Sequence, residues 1–255
     1  DDFVVTESVR KKLDGYVKQG GRIIACAKGG LSEENKYPSC FGTEYCGETK
    51  QYPDFIVAAG ALAAGLEPEN EYVIYQQGVS LDPTAGKTIL TARAPYFKRE
   101  GDCFCSHRYT PSAKGAAYPA AVKNGNVILF SHPLFGQYRS NAPFWCKKLV
   151  SNAIDCLLPT RLVRHNGPST MTVSLLDQED KGRAAVHILS YIPVRKSATI
   201  DIVEERTVLH NVTLKLELPK AFSSARLVPE NIPLPMENGS VTIPEINGYA
   251  IVELS

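Results

Sequence analysis

The chain is poor in the features that commit a protein to a specialised class. Its 255 residues include one Trp, two Met and five His, and 28 Lys and Arg stand against 27 Asp and Glu, for a formal net charge of +1. So balanced a charge gives no electrostatic argument for nucleic acid or an anionic membrane surface. No apolar run approaches the roughly 20 residues of a membrane-spanning helix. The seven cysteines are odd in number and follow no even spacing, which argues against a disulfide-stapled scaffold. There is no initial Met and no signal peptide. The chain opens at Asp1-Asp2-Phe3 and reads as helix almost at once. The expectation is a carboxyl-terminal piece of a longer protein, with a preceding strand and any targeting segment outside it. Cytoplasm and periplasm both stay open.

What is present supports packed cores: 44% of residues are hydrophobic, enough for one large or two ordinary domains. The stretch from Thr6 to Gly30 organises the first part. Thr6 suits a helix N-cap, with Glu7 in the first turn, where the helix dipole favours negative charge. Val9, Leu13, Tyr16 and Val17 then form an apolar stripe among Arg10, Lys11, Lys12 and Lys18. Gly20-Gly21 ends the helix, and Ile23-Ile24-Ala25-Cys26 reads as a buried parallel strand. The carboxyl end of such a strand is where open α/β folds place ligands and nucleophiles.

Leu31 to Pro53 is polar and rich in turn residues, a long excursion suited to covering a site. Phe55 to Leu66 reads as a small-residue helix. Tyr72 to Val79 and Thr88 to Ala92 read as strands. Gly101 to Ala121 is an aromatic- and polar-rich insertion, followed by a hairpin from Ala120-Ala121-Val122 to Val127–Phe130 across Asn124-Gly125. Pro143 opens a helix with Cys146, Leu149, Val150, Ala153, Ile154 and Leu157 on one face, and Trp145 beside it as a packing anchor. The segment from Pro159 to Pro168 reads as a boundary. Beyond it the period changes from 3.6 to 2, as in Met171, Val173, Leu175 and in Val212, Leu214, Leu216, Leu218, the signature of an antiparallel sandwich.

Two cysteine clusters bear on chemistry. Cys103-Phe104-Cys105-Ser106-His107 would place three soft ligands on one face if extended. The spacing of two to four residues usual between zinc-binding cysteines is absent, which favours unligated thiols and no metal. Cys40 and Cys46 lie in one loop-like stretch, and their pairing is left open. Asp54, Asp102 and Glu230 read as surface or capping carboxylates.

The two strand ends carry a resemblance. Ala25-Cys26-Ala27-Lys28-Gly29 and Phe130-Ser131-His132-Pro133-Leu134 resemble the class I glutamine amidotransferases, whose corresponding strands end in Gly-x-Cys-x-Gly and Phe-His-Pro-Glu. The resemblance puts Ala27 at the nucleophile, His132 at the base and Leu134 at the orienting carboxylate. Cys26 is one residue early, which on a strand turns a side chain to the opposite face. Without thiolate and carboxylate the triad cannot run.

With the sandwich included, the chain resembles the two non-catalytic domains that follow the barrel of family-42 β-galactosidases, and those of related fucosidase- or galactosidase-like proteins. The residues carrying this are Leu13-x-x-Tyr16-Val17-x-x-Gly20-Gly21, Tyr118-Pro119-Ala120, Gly125-Asn126-Val127 and Phe130 to Tyr138. Further on they are Val186 to Tyr191 and Leu227-Val228-Pro229-Glu230. The resemblance implies a flavodoxin-like α/β trimerisation domain over residues 1–160 and a β-sandwich over 161–255. It implies no cofactor and no catalytic residue, since the barrel with its paired acids is not in this chain. The expected partners are the protein itself, as a homo-oligomer and specifically a trimer, and the barrel. Tyr37, Phe41, Tyr45, Tyr52, Phe104 and Tyr109 are expected on exposed insertions at one end of the sheet, with His107, Arg108, His132 and Tyr138 at the same end. Two alternatives are a carbohydrate-binding accessory module using Tyr191, Phe222 or Tyr249, and a degenerate thiol amidase pairing Cys26 or Cys105 with His132.

Overall fold

The structure, a computed structural model, describes residues 1–50, 52–97 and 111–255. Its compact units divide after Pro159. The first opens with helix α1 (Glu7–Lys18), capped by the Thr6 hydroxyl, which accepts from the Val9 N–H at 3.4 Å. Strands follow as β1 (Ile23–Cys26), β2 (Thr43–Glu48), β3 (Asp54–Val57), β4 (Glu71–Ile74), β5 (Val79–Pro83) and β6 (Lys87–Arg93). After them come β7 (Tyr118–Asn124), β8 (Val127–Phe130) and helices α2 (Leu134–Asn141) and α3 (Phe144–Leu157).

The main sheet has the order β1-β8-β7-β6-β3-β4, while β2 and β5 pair apart from it. Only β1 and β8 run parallel, and the other four neighbouring pairs are antiparallel. The expected flavodoxin-like, mostly parallel sheet is not evident. The reason lies in the connections. Parallel neighbours need a long crossover, usually a helix. Among the described residues no α-helix lies between β1 and β8. The β7–β8 link is a two-residue hairpin, with Asn124 paired to Val127.

Burial on both faces is nevertheless real, and it explains the unbroken apolar run of β8. Ile128 and Phe130 point into a core with Trp145, Cys146, Leu149 and Ala153 of α3, whereas Val127 and Leu129 point to Tyr37, Phe41, Val79 and Leu81. The helix expected over residues 55–66 is instead β3 and a single 3-10 turn, Ala61–Ala63. Phe55, Ile56 and Val57 are suited to a pleated, buried strand and pair with β4 on one side and β6 on the other. Gly60 and Gly65, both at φ +75°, then take a backbone that a helix cannot continue. Asn152 of α3 fixes that turn by donating to the Leu62 and Ala64 carbonyls at 2.6 and 2.9 Å.

The second unit is built from β9 (Val163–His165), β10 (Thr172–Gln178), β11 (Arg183–Leu189), β12 (Val194–Arg195), β13 (Asp201–Ile202) and β14 (Val208–Leu216). It closes with β15 (Ala225–Val228), β16 (Ile232–Leu234), β17 (Met236–Glu237), β18 (Ser240–Asn247) and β19 (Tyr249–Leu254). All its pairings are antiparallel. Nine strands form one sheet, and β12 with β13 forms a separate ribbon. The large sheet curls at Gly248 (φ +83°), where β18 and β19 share only the Asn247–Tyr249 pair. On one side of that corner lie β10, β11, β19, β15 and β16, and on the other β9, β14, β18 and β17. Their alternating residues Val186, Ile188, Leu214, Val241, Ile243, Val252 and Leu254 meet in one fully buried core. The period-2 pattern of the sequence is this inward-facing set.

Candidate functional site

The parallel pair β1–β8 ends in the elbow that the sequence singles out. Ala27 sits at φ +47°, in the left-handed region that non-glycine residues seldom occupy. Three hydrogen bonds hold it there. Ala27 N–H donates to the Phe130 carbonyl at 2.8 Å, the Tyr37 hydroxyl donates to the Ala27 carbonyl at 2.5 Å, and Gly29 N–H closes the turn on the Cys26 carbonyl at 2.8 Å. Strained strand-end turns are one place where folds hold nucleophiles. Here the position holds a buried methyl group. Ala27 borders a cleft of about 410 Å³ whose other walls include Lys28, Glu48, Gln76, Gly136 and Arg139. Lys28 Nζ lies 2.5 Å from Glu48 Oε1 across part of it, and this hydrogen bond raises the lysine pKa.

Cys26 does not replace the missing nucleophile. It is 1% exposed, and burial pushes its thiol up to about 12, so the thiolate that attacks carbonyl carbon is not formed near neutral pH. Cys146 and Cys40 are pushed to about the same value, Cys146 by burial and Cys40 by burial and then by Asp14. Cys40 and Cys46 are both free. Iodoacetamide on the folded chain is expected to label exposed Cys46 and Cys156 at least about tenfold faster than Cys26 and Cys146, read by peptide mass spectrometry. Equal labelling of Cys26 would overturn its assignment as an inert core thiol.

His132 was expected to face a neighbour or a barrel. It is instead fully buried, with no ring atom free to meet one. Its Nδ1 lies 2.9 Å from Ser131 Oγ and its Nε2 2.9 Å from Asp54 Oδ2. Gly78 packs flat against the ring, where a Cβ would come within 2.5 Å of Cδ2. The carboxylate beside the imidazole thus comes from β3, 78 positions away in sequence. Asp54 is correspondingly no surface carboxylate: it is 1% exposed. Ser, His and Asp in a row evoke a hydrolytic triad, but Ser131 Oγ is buried and donates to the Ala120 carbonyl at 3.2 Å. No substrate carbonyl can reach it. The three residues form a strut that ties β3 to the ends of β7 and β8. Tyr118 borders the strut, its ring 6.4 Å from that of His132, and its phenol is pushed well above the usual range by burial and by the Asp54 charge.

The sequence signal for the strut was present but weak. Asp54 and His132 each stand beside a short, wholly apolar strand run, Phe55–Val57 and Val127–Phe130, where a titratable group needs a buried partner.

Of the expected interface residues, Tyr37 and Phe41 belong to the core, with rings stacked at 5.6 Å, and half-buried Tyr45 packs edge-on against Tyr37. These aromatics fold back on their own sheet because the β8 face beneath them is apolar. Tyr52 and Tyr138 are exposed, and Tyr138 shares a face of α2 with exposed Phe135. Phe104, His107, Arg108 and Tyr109 lie outside the described residues, as do Cys103, Cys105 and Asp102. Trp145 packs on Tyr72 at 5.8 Å in the core. In the second unit, Tyr191 and Tyr249 line one groove, whereas Phe222 packs against the core with Lys220 over its ring. Among the described residues no three His, Cys, Asp or Glu side chains are grouped to hold a metal ion.

No family model matches the chain, and no curated protein does. Solved structures do. An α-L-fucosidase isoenzyme 2 from Paenibacillus thiaminolyticus superposes with TM-score 0.91 at 24% identity, over 100% of this chain and 40% of that one. A β-galactosidase from Bacillus circulans sp. alkalophilus gives 0.57 at 15% identity, over 99% of this chain and 32% of that one. A catalytic mutant of a GH42 β-galactosidase from G. stearothermophilus gives 0.55 at 13% identity, over 98% and 30%. The chain therefore spans less than half the length of these glycoside hydrolases, and across that span it shares their fold.

Proposed function

We propose that this chain is a non-catalytic region of a bacterial-type glycoside hydrolase, serving subunit assembly and the support of a catalytic barrel outside these residues. The observation that carries the reading is the elbow. Ala27 holds a strained, hydrogen-bonded turn that carries only a methyl group, and His132 beyond the neighbouring strand is locked into a buried strut. Supporting it is a likeness that covers all of this chain but 40% of a fucosidase, leaving room for a catalytic domain elsewhere. The amidotransferase-like and trimerisation assignments belong to this proposal, as does assembly through the α2 end of the first unit. Exposed Phe135 and Tyr138 there offer aromatic anchors of the kind that dominate interface energetics. The thiol-amidase alternative loses Cys26 to burial.

Measurements on the 255-residue chain and on the full-length protein test this. The 255-residue chain is expected to hydrolyse neither aryl α-L-fucosides nor aryl β-D-galactosides. The full-length protein is expected to scatter light as a trimer, and Tyr138→Ala is expected to weaken assembly by about tenfold or more. Hydrolysis by the chain alone, or a full-length monomer at micromolar concentration, overturns the proposal.

A further inference from the structure

The curl of the second unit places two aromatic residues together that are 58 positions apart by their numbers, Tyr191 and Tyr249. The period-2 geometry of β11 explains how. Val186 and Ile188 point inward and are buried, so His187 and Leu189 point outward, and exposed Tyr191 follows two residues past the strand's end. Antiparallel pairing sets Leu189 directly opposite Tyr249, on the same outer face. A groove of about 280 Å³ results, lined by both tyrosines with Leu189, Val203, Arg206 and Asn247.

Three features distinguish this groove from a plain apolar patch. The Tyr249 hydroxyl is pinned by a 2.8 Å hydrogen bond to His187 Nδ1, with the two rings 6.3 Å apart, so the phenol face is fixed rather than swinging in solvent. Arg206 is laid over Gly248, where a Cβ would come within 3.1 Å of its Cδ, and the glycine gives its stem a seat. Asn247 ends β18 with an exposed amide beside the same corner. The lining thus combines two exposed aromatic faces with a donor-only guanidinium and an amide that both donates and accepts. No carboxylate lines it.

We infer that this groove binds a single pyranose unit of a saccharide, whose C–H face stacks on Tyr249 and Tyr191 while its hydroxyl oxygens accept from Arg206 and exchange hydrogen bonds with Asn247. A ring with one apolar face and a hydroxyl rim matches this lining. A purely apolar ligand would leave Arg206 and Asn247 unpaired, and a cation would meet Arg206. The inference needs nothing from the assembly proposal. Sugar binding here without hydrolysis is a property of the second unit whether or not the first unit assembles subunits.

The test is ligand-observed NMR titration of the 255-residue chain with D-galactose, L-fucose, D-glucose and D-mannose, and with glycerol as the control. The open groove is expected to give saturable binding of at least one sugar with a Kd on the order of millimolar, and none of glycerol. Tyr249→Ala and Tyr191→Ala are each expected to weaken binding by about tenfold, because each removes one stacking face. Both side chains are about half exposed, so neither substitution opens the core. Tyr249→Phe keeps the face and is expected to retain most of the affinity. His187→Ala, acting only by positioning Tyr249, is expected to match the Tyr249→Phe loss rather than the Tyr249→Ala loss. No saturable binding of any sugar up to about 100 mM, a range that covers even weak single-site affinity, overturns the inference. So does binding that both tyrosine-to-alanine variants retain in full.

Discussion

Asp54→Ala is expected to destabilise the first unit by about 3–5 kcal/mol, the usual cost of removing one partner from a buried pair. The reason is geometric. His132 is enclosed on every side, with Ser131 at one nitrogen, Asp54 at the other and Gly78 against its face. Deleting the carboxylate takes from the buried imidazole its partner at Nε2, and a buried unpaired group bears its desolvation cost. Asp54→Asn keeps an acceptor oxygen and is expected to cost less, about 1–2 kcal/mol. Urea unfolding followed by the fluorescence of Trp145 measures both, because that single Trp packs in the first unit's core and does not report the second. A loss below about 1 kcal/mol for Asp54→Ala would show that the strut holds nothing.

Phe41→Ala is expected to cost a similar 3–5 kcal/mol, the range for truncating a fully buried aromatic. Phe41 is 1% exposed, stacks on Tyr37, and fills the space where a Cβ on Gly30 would come within 3.0 Å of its ring. The result separates two roles for the aromatics of the Leu31–Pro53 excursion. As core residues they set stability, and their loss lowers the urea midpoint of the isolated chain. As interface residues they would leave that midpoint unchanged and dissociate the full-length assembly. Stability within about 0.5 kcal/mol of wild type, the usual range for surface changes, would return Phe41 to the interface.

Local elements were the most legible in the sequence. Thr6 caps α1, Pro143 stands before α3, and Asn124 to Val127 makes the β7–β8 hairpin, because each depends on residues a few positions apart. The helix expected over residues 55–66 was misread for the opposite reason. Its alanines favour helix locally, but Phe55–Val57 gains two strand partners, β4 and β6, that local propensity does not register. Tyr37 and Phe41, expected on the surface, lie in the core because a polar loop composition does not disclose an apolar sheet face beneath it.

The site shows the same division. The strand-end elbow at Ala27 was readable from one short motif, since strand, turn and register are local. Its left-handed backbone and the cleft beside it were not. Nor was Asp54, which meets His132 only because β3 and β8 belong to one sheet, with β6 and β7 between them. Likewise Tyr191 and Tyr249 read as scattered aromatics until the pairing of Leu189 with Tyr249 brings the residues just past β11 beside β19, where both tyrosines line one groove. By itself the sequence determined what is periodic or contiguous: the caps, the hairpin, the buried β8 run, the change from period 3.6 to period 2, and an elbow without a nucleophile. Tertiary structure alone decided strand direction, the partner of the buried imidazole and the pairing of distant aromatics. An apolar run specifies that a strand is buried on both faces. It carries no information on which way its neighbour runs or which distant side chain completes its hydrogen bonds.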